Sequence, residues 1–253
     1  MGTLGIYRDY PLLESQWEGF AHPNNKLLLD SQNWYVKNLI HTKGPVCELA
    51  CGYGRLLYPL AKAGIQVTGC DAVEERIQAA EEFFRKNKLQ NYSFEVCEMP
   101  EVPKDKKFNA VILACNAIGY LLKTSQKLHL LKNIREILHP NGYLLLDHSR
   151  GSIFLKLLGK WPGLKGGIKL DGNKIYSELS WDAHKECIVE GFCVYGNLEY
   201  PIVYKDYFRF TDAQQTIAMI RDAGFEIERV YNGFTHTPYR AWSRRISIIA
   251  KRL

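Results

Sequence analysis

Five short apolar runs, at residues 46–49, 65–70, 92–96, 108–115 and 143–147, alternate with segments whose apolar positions recur at helical spacing. Strands that are apolar on both faces must be covered on both, and strands joined through a helix run parallel. The pattern therefore predicts an open parallel sheet with helices on each face. Helices are expected at residues 24–40, capped by Asn24 or Asn25, at 55–63 with Pro59 in the first turns, at 71–87 and at 125–138. Asp71 with Glu74 reads as a capping box, Gly64 as a helix stop, and "HPNG" at 139–142 as a stop and turn.

After Asp147 the rhythm changes. Residues 150–173 are rich in Gly and Lys and read as a mobile loop. Strand-like runs follow at 174–182, 187–195 and 199–210, separated by turn-like residues with no helix between them, so an antiparallel layer inserted into the α/β unit is expected. Thr211 with Gln214 reads as a second capping box, for a helix to Asp222 that Gly224 terminates. Residues 225–231 and 244–252 close the chain as two strands paired like a hairpin.

A chain of 253 residues with 46% hydrophobic residues can bury one sizeable core, with or without a small appended layer. The formal charge of +6 is too weak an excess to argue for nucleic acid and is compatible with an anionic small substrate. Seven cysteines, an odd number with no CxxC, lie mostly in apolar runs. They read as reduced, buried thiols, so neither a disulfide frame nor a metal site is expected, including near Cys51, Cys70, Cys97 and Cys115 at the strand ends. No apolar run reaches the length of a membrane span, the first residues lack the basic-then-apolar order of a leader, and Ile6 breaks the myristoylation pattern. A cytoplasmic protein is expected.

The turn after the first strand, "VCELACGYGRLL" at 46–57, crowds Ala50, Cys51, Gly52 and Gly54 between strand and helix. In an open parallel sheet ligands bind beyond the carboxyl ends of the strands, and glycines there let backbone approach a ligand or take positive φ. Dinucleotides and S-adenosylmethionine both suit such a turn. The dinucleotide fingerprint needs a third Gly or Ala three residues after Gly54, and Leu57 stands there, which disfavours it.

The stretch "ELACGYGR" resembles the first motif of class I S-adenosylmethionine-dependent methyltransferases, E/D-x-x-x-G-x-G, with Glu48 as the acid and Gly52 and Gly54 as the glycines. Further motifs of the family fall in register. Asp71 ends the second strand, "VCEM" resembles "GDM", "ACNAIGYL" is similar to the small-molecule branch, and "LHPNGYLLLD" resembles "LxPGGxLxxD". The resemblance runs from Val46 to Asp147, with a weaker echo to the end. It implies a Rossmann-like, doubly wound, mostly parallel seven-stranded sheet, formed by residues 1–149 and 206–253, with residues 150–205 as an inserted antiparallel substrate lid. It implies S-adenosyl-L-methionine as cofactor, with Asp71 accepting from the ribose hydroxyls, Glu48 toward the amino end, Glu98 at the adenine amino group and Met99 on the ring face. Ala50, Gly52, Gly54, Ala72 and Ala114 complete that surface. Two positions depart from the pattern: Asn109 replaces an Asp expected to be structural, and Cys97 replaces a Gly before the adenine-binding acid.

Methyl transfer is an in-line displacement in which orientation alone is worth about 7–11 kcal/mol, so no catalytic dyad is required. A base matters only for a protonated acceptor. By position the acceptor pocket comprises Asn116, Tyr120, His148 and Arg150, with His148 as the candidate base and Asn116 as the orienting amide. The N-terminal aromatic segment adds Tyr7, the inserted layer Tyr195, Tyr204, Tyr207 and Arg209, and "HTPYR" adds His236, Tyr239 and Arg240. Aromatic walls with arginines suit a planar or anionic small molecule. Each of these residues also has a structural reading, as core, cap or loop tie. The expected partner is a small-molecule acceptor methylated on O, N or C, in a monomer or homodimer. Nucleic acid is disfavoured because the N/D-P-P-Y/F signature is absent after the fourth strand. A protein acceptor, or a non-catalytic binding protein of the same fold, is also compatible with these motifs.

Overall fold

The alternating side chains of one central strand, Phe108–Leu113, divide the core: Ala110 and Ile112 join one buried cluster, Val111 and Leu113 the other. The computed structural model describes residues 26–149, 164–170, 173–195 and 202–253. Tyr7 and Arg150 lie outside these residues, and the side chains of Tyr195 and Tyr204 lie outside what is described.

In chain order the described elements begin with α1 (Lys26–Leu39), β1 (Val46–Leu49), α2 (Leu57–Lys62), β2 (Val67–Asp71), α3 (Glu74–Lys86), β3 (Tyr92–Val96) and β4 (Phe108–Leu113). A short 3-10 helix (Ala117–Tyr120), α4 (Thr124–Ile137) and β5 (Leu138–Ser149) follow. Next come β6 (Leu164–Leu170), β7 (Asn173–Asp182), β8 (Cys187–Tyr195) and β9 (Ile202–Phe208), then α5 (Ala213–Asp222), β10 (Phe225–Asn232) and β11 (Arg245–Arg252). The main sheet has seven strands in the order β10-β11-β5-β4-β1-β2-β3. Neighbours from β3 through β5 are parallel, and β11 runs antiparallel between β5 and β10.

One face of the sheet packs on α1, α2 and α3, the other on α4 and α5. Each helix turns a stripe inward: Ile77, Ala80 and Phe84 on α3, Leu130, Ile134 and Ile137 on α4, Thr216, Met219 and Ile220 on α5. Asn109 sits at the amino end of β4 against Gly44, where a Cβ would meet its Oδ1 at 1.9 Å, so this departure from the family pattern packs a turn at the end of the sheet opposite the ligand loops. Among the described residues no helix is long and apolar enough to cross a membrane.

The structure corrects four local expectations. The small sheet has four strands, in the order β6-β7-β8-β9, because the Gly- and Lys-rich residues 164–170 pair along their length with β7; a partner strand overrides weak propensity. "HPNG" lies inside β5 as a register shift against β4, with Asn141 at φ 62, instead of forming a separate turn. Helix α3 begins after Val73, and Asp71 accepts from the Val73 N–H instead of capping with Glu74. Helix α5 is capped by Asp212, which accepts from the Gln214 N–H at 2.7 Å, while Thr211 Oγ1 accepts from Lys127.

Candidate functional site

Strand order reverses direction between β1 and β4, so the loops leaving their carboxyl ends diverge and open a crevice. The β1 loop carries three left-handed residues in five, Ala50 (φ 54), Gly52 (φ 54) and Gly54 (φ 76). For Ala50 that conformation costs about 1–2 kcal/mol, a strain that persists only where surroundings impose it. Here Cys51 N–H continues the β1–β2 pairing to Cys70 O at 2.9 Å and Gly54 N–H closes a turn on Cys51 O at 3.0 Å. At Gly54 packing and backbone conformation alone already exclude a side chain, since a Cβ would stand 2.9 Å from Phe84 and 3.1 Å from Phe94.

Asp71, 2% exposed at the end of β2, ties this loop down. Its Oδ2 accepts from Gly52 N–H at 2.9 Å and its Oδ1 from Val73 N–H at 3.0 Å, and Arg76 Nη1 of α3 lies 3.5 Å from Oδ2. A carboxylate has about four acceptor positions, so the two backbone bonds leave it able to accept further hydroxyls. Glu48 is buried in β1, Ala72 is half-buried and Ala50 is exposed. Across from Asp71 in register, Val96 is 54% exposed, an apolar surface beside the acid that sequence reading did not single out. Glu98 beyond it is exposed, whereas Met99 is half-buried and packs against the α4-side core. Left-handed backbone, a buried acid with spare acceptor positions, an apolar ledge and an exposed second acid are what a nucleoside sulfonium needs, so the residues fit S-adenosylmethionine.

Burial pushes the Cys47 and Cys51 thiols well above their ordinary range and Cys97 up to about 11, as inert packing groups would be.

At the end of β4 the strain repeats. Ala114 is buried, and Cys115 (φ 53) and Asn116 (φ 64) are consecutive left-handed residues, neither of them glycine. Cys115 N–H donates to Asp147 Oδ1 at 3.0 Å and Asn116 N–H to Asp147 O at 3.3 Å. Asp147 is fully buried, accepts from Tyr35 OH at 2.8 Å, and is ion-paired to Arg245. Burial, with Asp147 second, holds the Tyr35 phenol well above its ordinary pKa, so it stays a donor. Arg55 reaches Ser31 Oγ at 3.2 Å and Cys115 Sγ at 3.3 Å, and Gln32 donates to Arg55 O, clamping α1 over the crevice. Tyr35, Asp147, Arg55 and Arg245 were not singled out as site residues; only the acid ending "YLLLD" carried a signal.

Three expected site residues turn elsewhere. His148, 1% exposed, is directed by strand alternation to the α5 face: its Nδ1 pairs with Ser149 O and its Nε2 with Thr216 Oγ1, both at 2.9 Å. Burial lowers its pKa and favours the neutral ring, in which Nδ1–H donates to the Ser149 carbonyl and Nε2 faces the Thr216 hydroxyl, which also lies 3.0 Å from Asp212 O. Both ring nitrogens are thus engaged in the packing of β5 against α5. Arg209 donates to the carbonyls of Lys185 and Glu186 and pairs with Glu186, and Lys185 Nζ lies 3.7 Å from the Tyr207 ring centroid. Both residues therefore clasp the β7–β8 turn instead of facing a substrate. Tyr120 ends the 3-10 helix and is half-buried. His236 stacks edge-on against Tyr231, and Arg240 lies over Trp242, in the loop before β11.

A family model described as a methyltransferase domain matches residues 40–197. YqeM of Bacillus subtilis (strain 168), a protein named as a methyltransferase, is 28% identical over 251 residues, covering 93% of this chain and 97% of its own. A crystal structure of an S-adenosylmethionine-dependent methyltransferase from Clostridium acetobutylicum ATCC 824 superposes with a TM-score of 0.80 at 13% identity, covering 96% of this chain and 98% of that one. The sugar N-methyltransferase KedS8 from Streptoalloteichus sp ATCC 53650 gives a TM-score of 0.68 at 16% identity, covering 92% and 91%. At these identities the two structures speak for the fold alone.

Proposed function

The chain belongs to the methyltransferase-domain family and is an S-adenosylmethionine-dependent methyltransferase, and from that premise we propose that its acceptor is a small metabolite, methylated on O, N or C. The observation that carries the small-acceptor reading is the anchoring of the four-stranded sheet on the 3-10 helix beyond β4. Arg209 N–H donates to Gly119 O at 2.9 Å, and the buried Lys127 Nζ of α4 donates to Arg209 O at 2.8 Å and Thr211 Oγ1 at 2.6 Å. The inserted sheet is thereby rooted beside the β4 turn and bounds the acceptor side, as a lid over a small molecule would. The name of KedS8 supports the same class by analogy.

In this reading Asp71 accepts from the ribose hydroxyls, Glu48 faces the amino end, Glu98 meets the adenine amino group and Val96, with Met99, lies on its ring. Ala50, Gly52, Gly54, Ala72 and Ala114 supply the close backbone surface. When bound, the sulfonium supplies an activated methyl group to an in-line nucleophile. The protein's part is to orient that nucleophile and exclude water, worth about 7–11 kcal/mol without a dedicated base. Asn116 is the orienting group: its Oδ1 is buried and has no hydrogen-bond partner among the described residues, so it can accept from an N–H or O–H of the acceptor.

The test is transfer of label from methyl-labelled S-adenosylmethionine into fractionated cell extract. Label in the small-metabolite fraction, with S-adenosylhomocysteine formed in step, supports the proposal. Label confined to RNA or protein rejects it, and no turnover on any fraction favours a non-catalytic binding protein.

A further inference from the structure

We propose that Asp147 is a positioning residue of the methyl-transfer site: its carboxylate, locked by Tyr35 and Arg245, holds the Cys115–Asn116 turn in the left-handed form that presents the Asn116 amide to the acceptor. The inference rests on the reading of this crevice as the methyl-transfer site.

Two consecutive left-handed residues with side chains cost about 1–2 kcal/mol each, so something must impose them. Asp147 does so twice, through its side chain to Cys115 N–H and through its main chain to Asn116 N–H. The carboxylate itself is immobile. Tyr35 reaches it from α1, and Arg245 reaches it from β11 while lying 5.3 Å from the Phe234 ring centroid. Strand alternation puts Asp147 on the α1 face and His148 on the α5 face, so the acid ending the apolar run, not the histidine after it, looks into the crevice. Only an ionised carboxylate satisfies all three donors. An amide offers one acceptor oxygen and would set its NH2 against either Arg245 or the Cys115 N–H.

Cys115 is an exposed thiol on this turn, in no disulfide, so its alkylation by iodoacetamide, read by peptide mass spectrometry, reports the turn's conformation. In the wild type, S-adenosylmethionine at ten times its Kd should slow Cys115 alkylation about tenfold. Asp147→Asn should speed alkylation of the free protein about five- to tenfold, the loss of a buried hydrogen bond, and Tyr35→Phe about threefold. The buried Cys47 and Cys51 serve as internal controls, because a merely fold-wide role would expose them in step. Cys115 rates unchanged in both variants, or rising only together with Cys47 and Cys51, overturn the proposal. If Asp147→Asn does not fold, Tyr35→Phe decides alone. Cofactor binding seen by calorimetry without protection of Cys115 overturns the proposal and leaves the methyltransferase reading intact. Absence of cofactor binding overturns that reading, and this one with it.

Discussion

Replacing Asp71 by Asn keeps the shape and removes the chemistry. The wild-type carboxylate accepts from Gly52 N–H and Val73 N–H on different oxygens and sits 3.5 Å from the buried Arg76. An Asn can serve only one of the two N–H groups, so one buried donor is left facing an NH2, at about 1–3 kcal/mol. Arg76 also loses its compensating charge, and removing one partner of a buried pair costs about 3–5 kcal/mol when the desolvation is complete. The 3.5 Å separation places the pair below that limit, and we expect a total of roughly 3–4 kcal/mol. For a chain of this size that is a fall in Tm of roughly 10 °C. If Asp71 holds the ribose as proposed, two charge-assisted bonds vanish as well, so the Kd for S-adenosylmethionine should rise about 100-fold. Adding Arg76→Met should recover part of the stability, because the buried cation facing the new amide is then gone, but none of the affinity. Urea unfolding and titration calorimetry measure the two quantities. An Asn variant within about 1 kcal/mol of wild type and binding the cofactor normally would refute the reasoning about Asp71.

Other consequences follow from buried titratable groups and the tight turn. His148 is neutral in the folded protein with its pKa held below the ordinary value, so stability is unaffected by this group above about pH 6.5 and falls below it by up to about 1.4 kcal/mol per pH unit, as the unfolded chain takes up a proton that the folded chain refuses. Urea midpoints across pH 5.5–7.5 should show that slope in the wild type and lose it in His148→Gln, and the same variant should keep methyl transfer within about tenfold, where loss of a general base costs about 10²–10⁴. Lys127, lowered to about 8 chiefly by burial with Arg209 adding to it, predicts a trend of the same sign at higher pH: between about pH 8 and 10.5 only the unfolded chain is protonated, so stability should rise by about 3 kcal/mol, and Lys127→Met should abolish the rise. Gly54→Ala combines a φ of 76 with contacts of 2.9 and 3.1 Å to Phe84 and Phe94 and should destabilise by about 2–4 kcal/mol, seen as a lowered urea midpoint.

The main sheet was legible because its inner strands β1, β2 and β4 are buried along almost their whole length on both faces and each helix carries a stripe at the right spacing. Strand β6 was hidden because glycines and lysines have little strand preference of their own and gain it only from pairing with β7. The left-handed β1 turn and its tie to β2 were legible through Gly52, Gly54 and Asp71, whose residue types are fixed by backbone conformation and a buried hydrogen bond. The acceptor side was not. Strand alternation sends Asp147 and His148 to opposite faces, but which of them meets α1 and which α5 depends on those helices choosing their sides of the sheet. Tyr207 and Arg209 looked like pocket residues until strand pairing set them against the β7–β8 turn. Tyr35 was one apolar position among many on α1, and nothing local marks a tyrosine whose hydroxyl meets a carboxylate 112 residues away.

The most direct measurement is a crystal structure of the protein soaked with S-adenosylhomocysteine, the methyl-transfer product. The account predicts density along the β1 turn with the ribose hydroxyls on Asp71 and the adenine over Val96, its sulfur directed toward the Cys115–Asn116 turn. Density at any other place on the molecule, or a crevice that stays empty at saturating ligand, would contradict it.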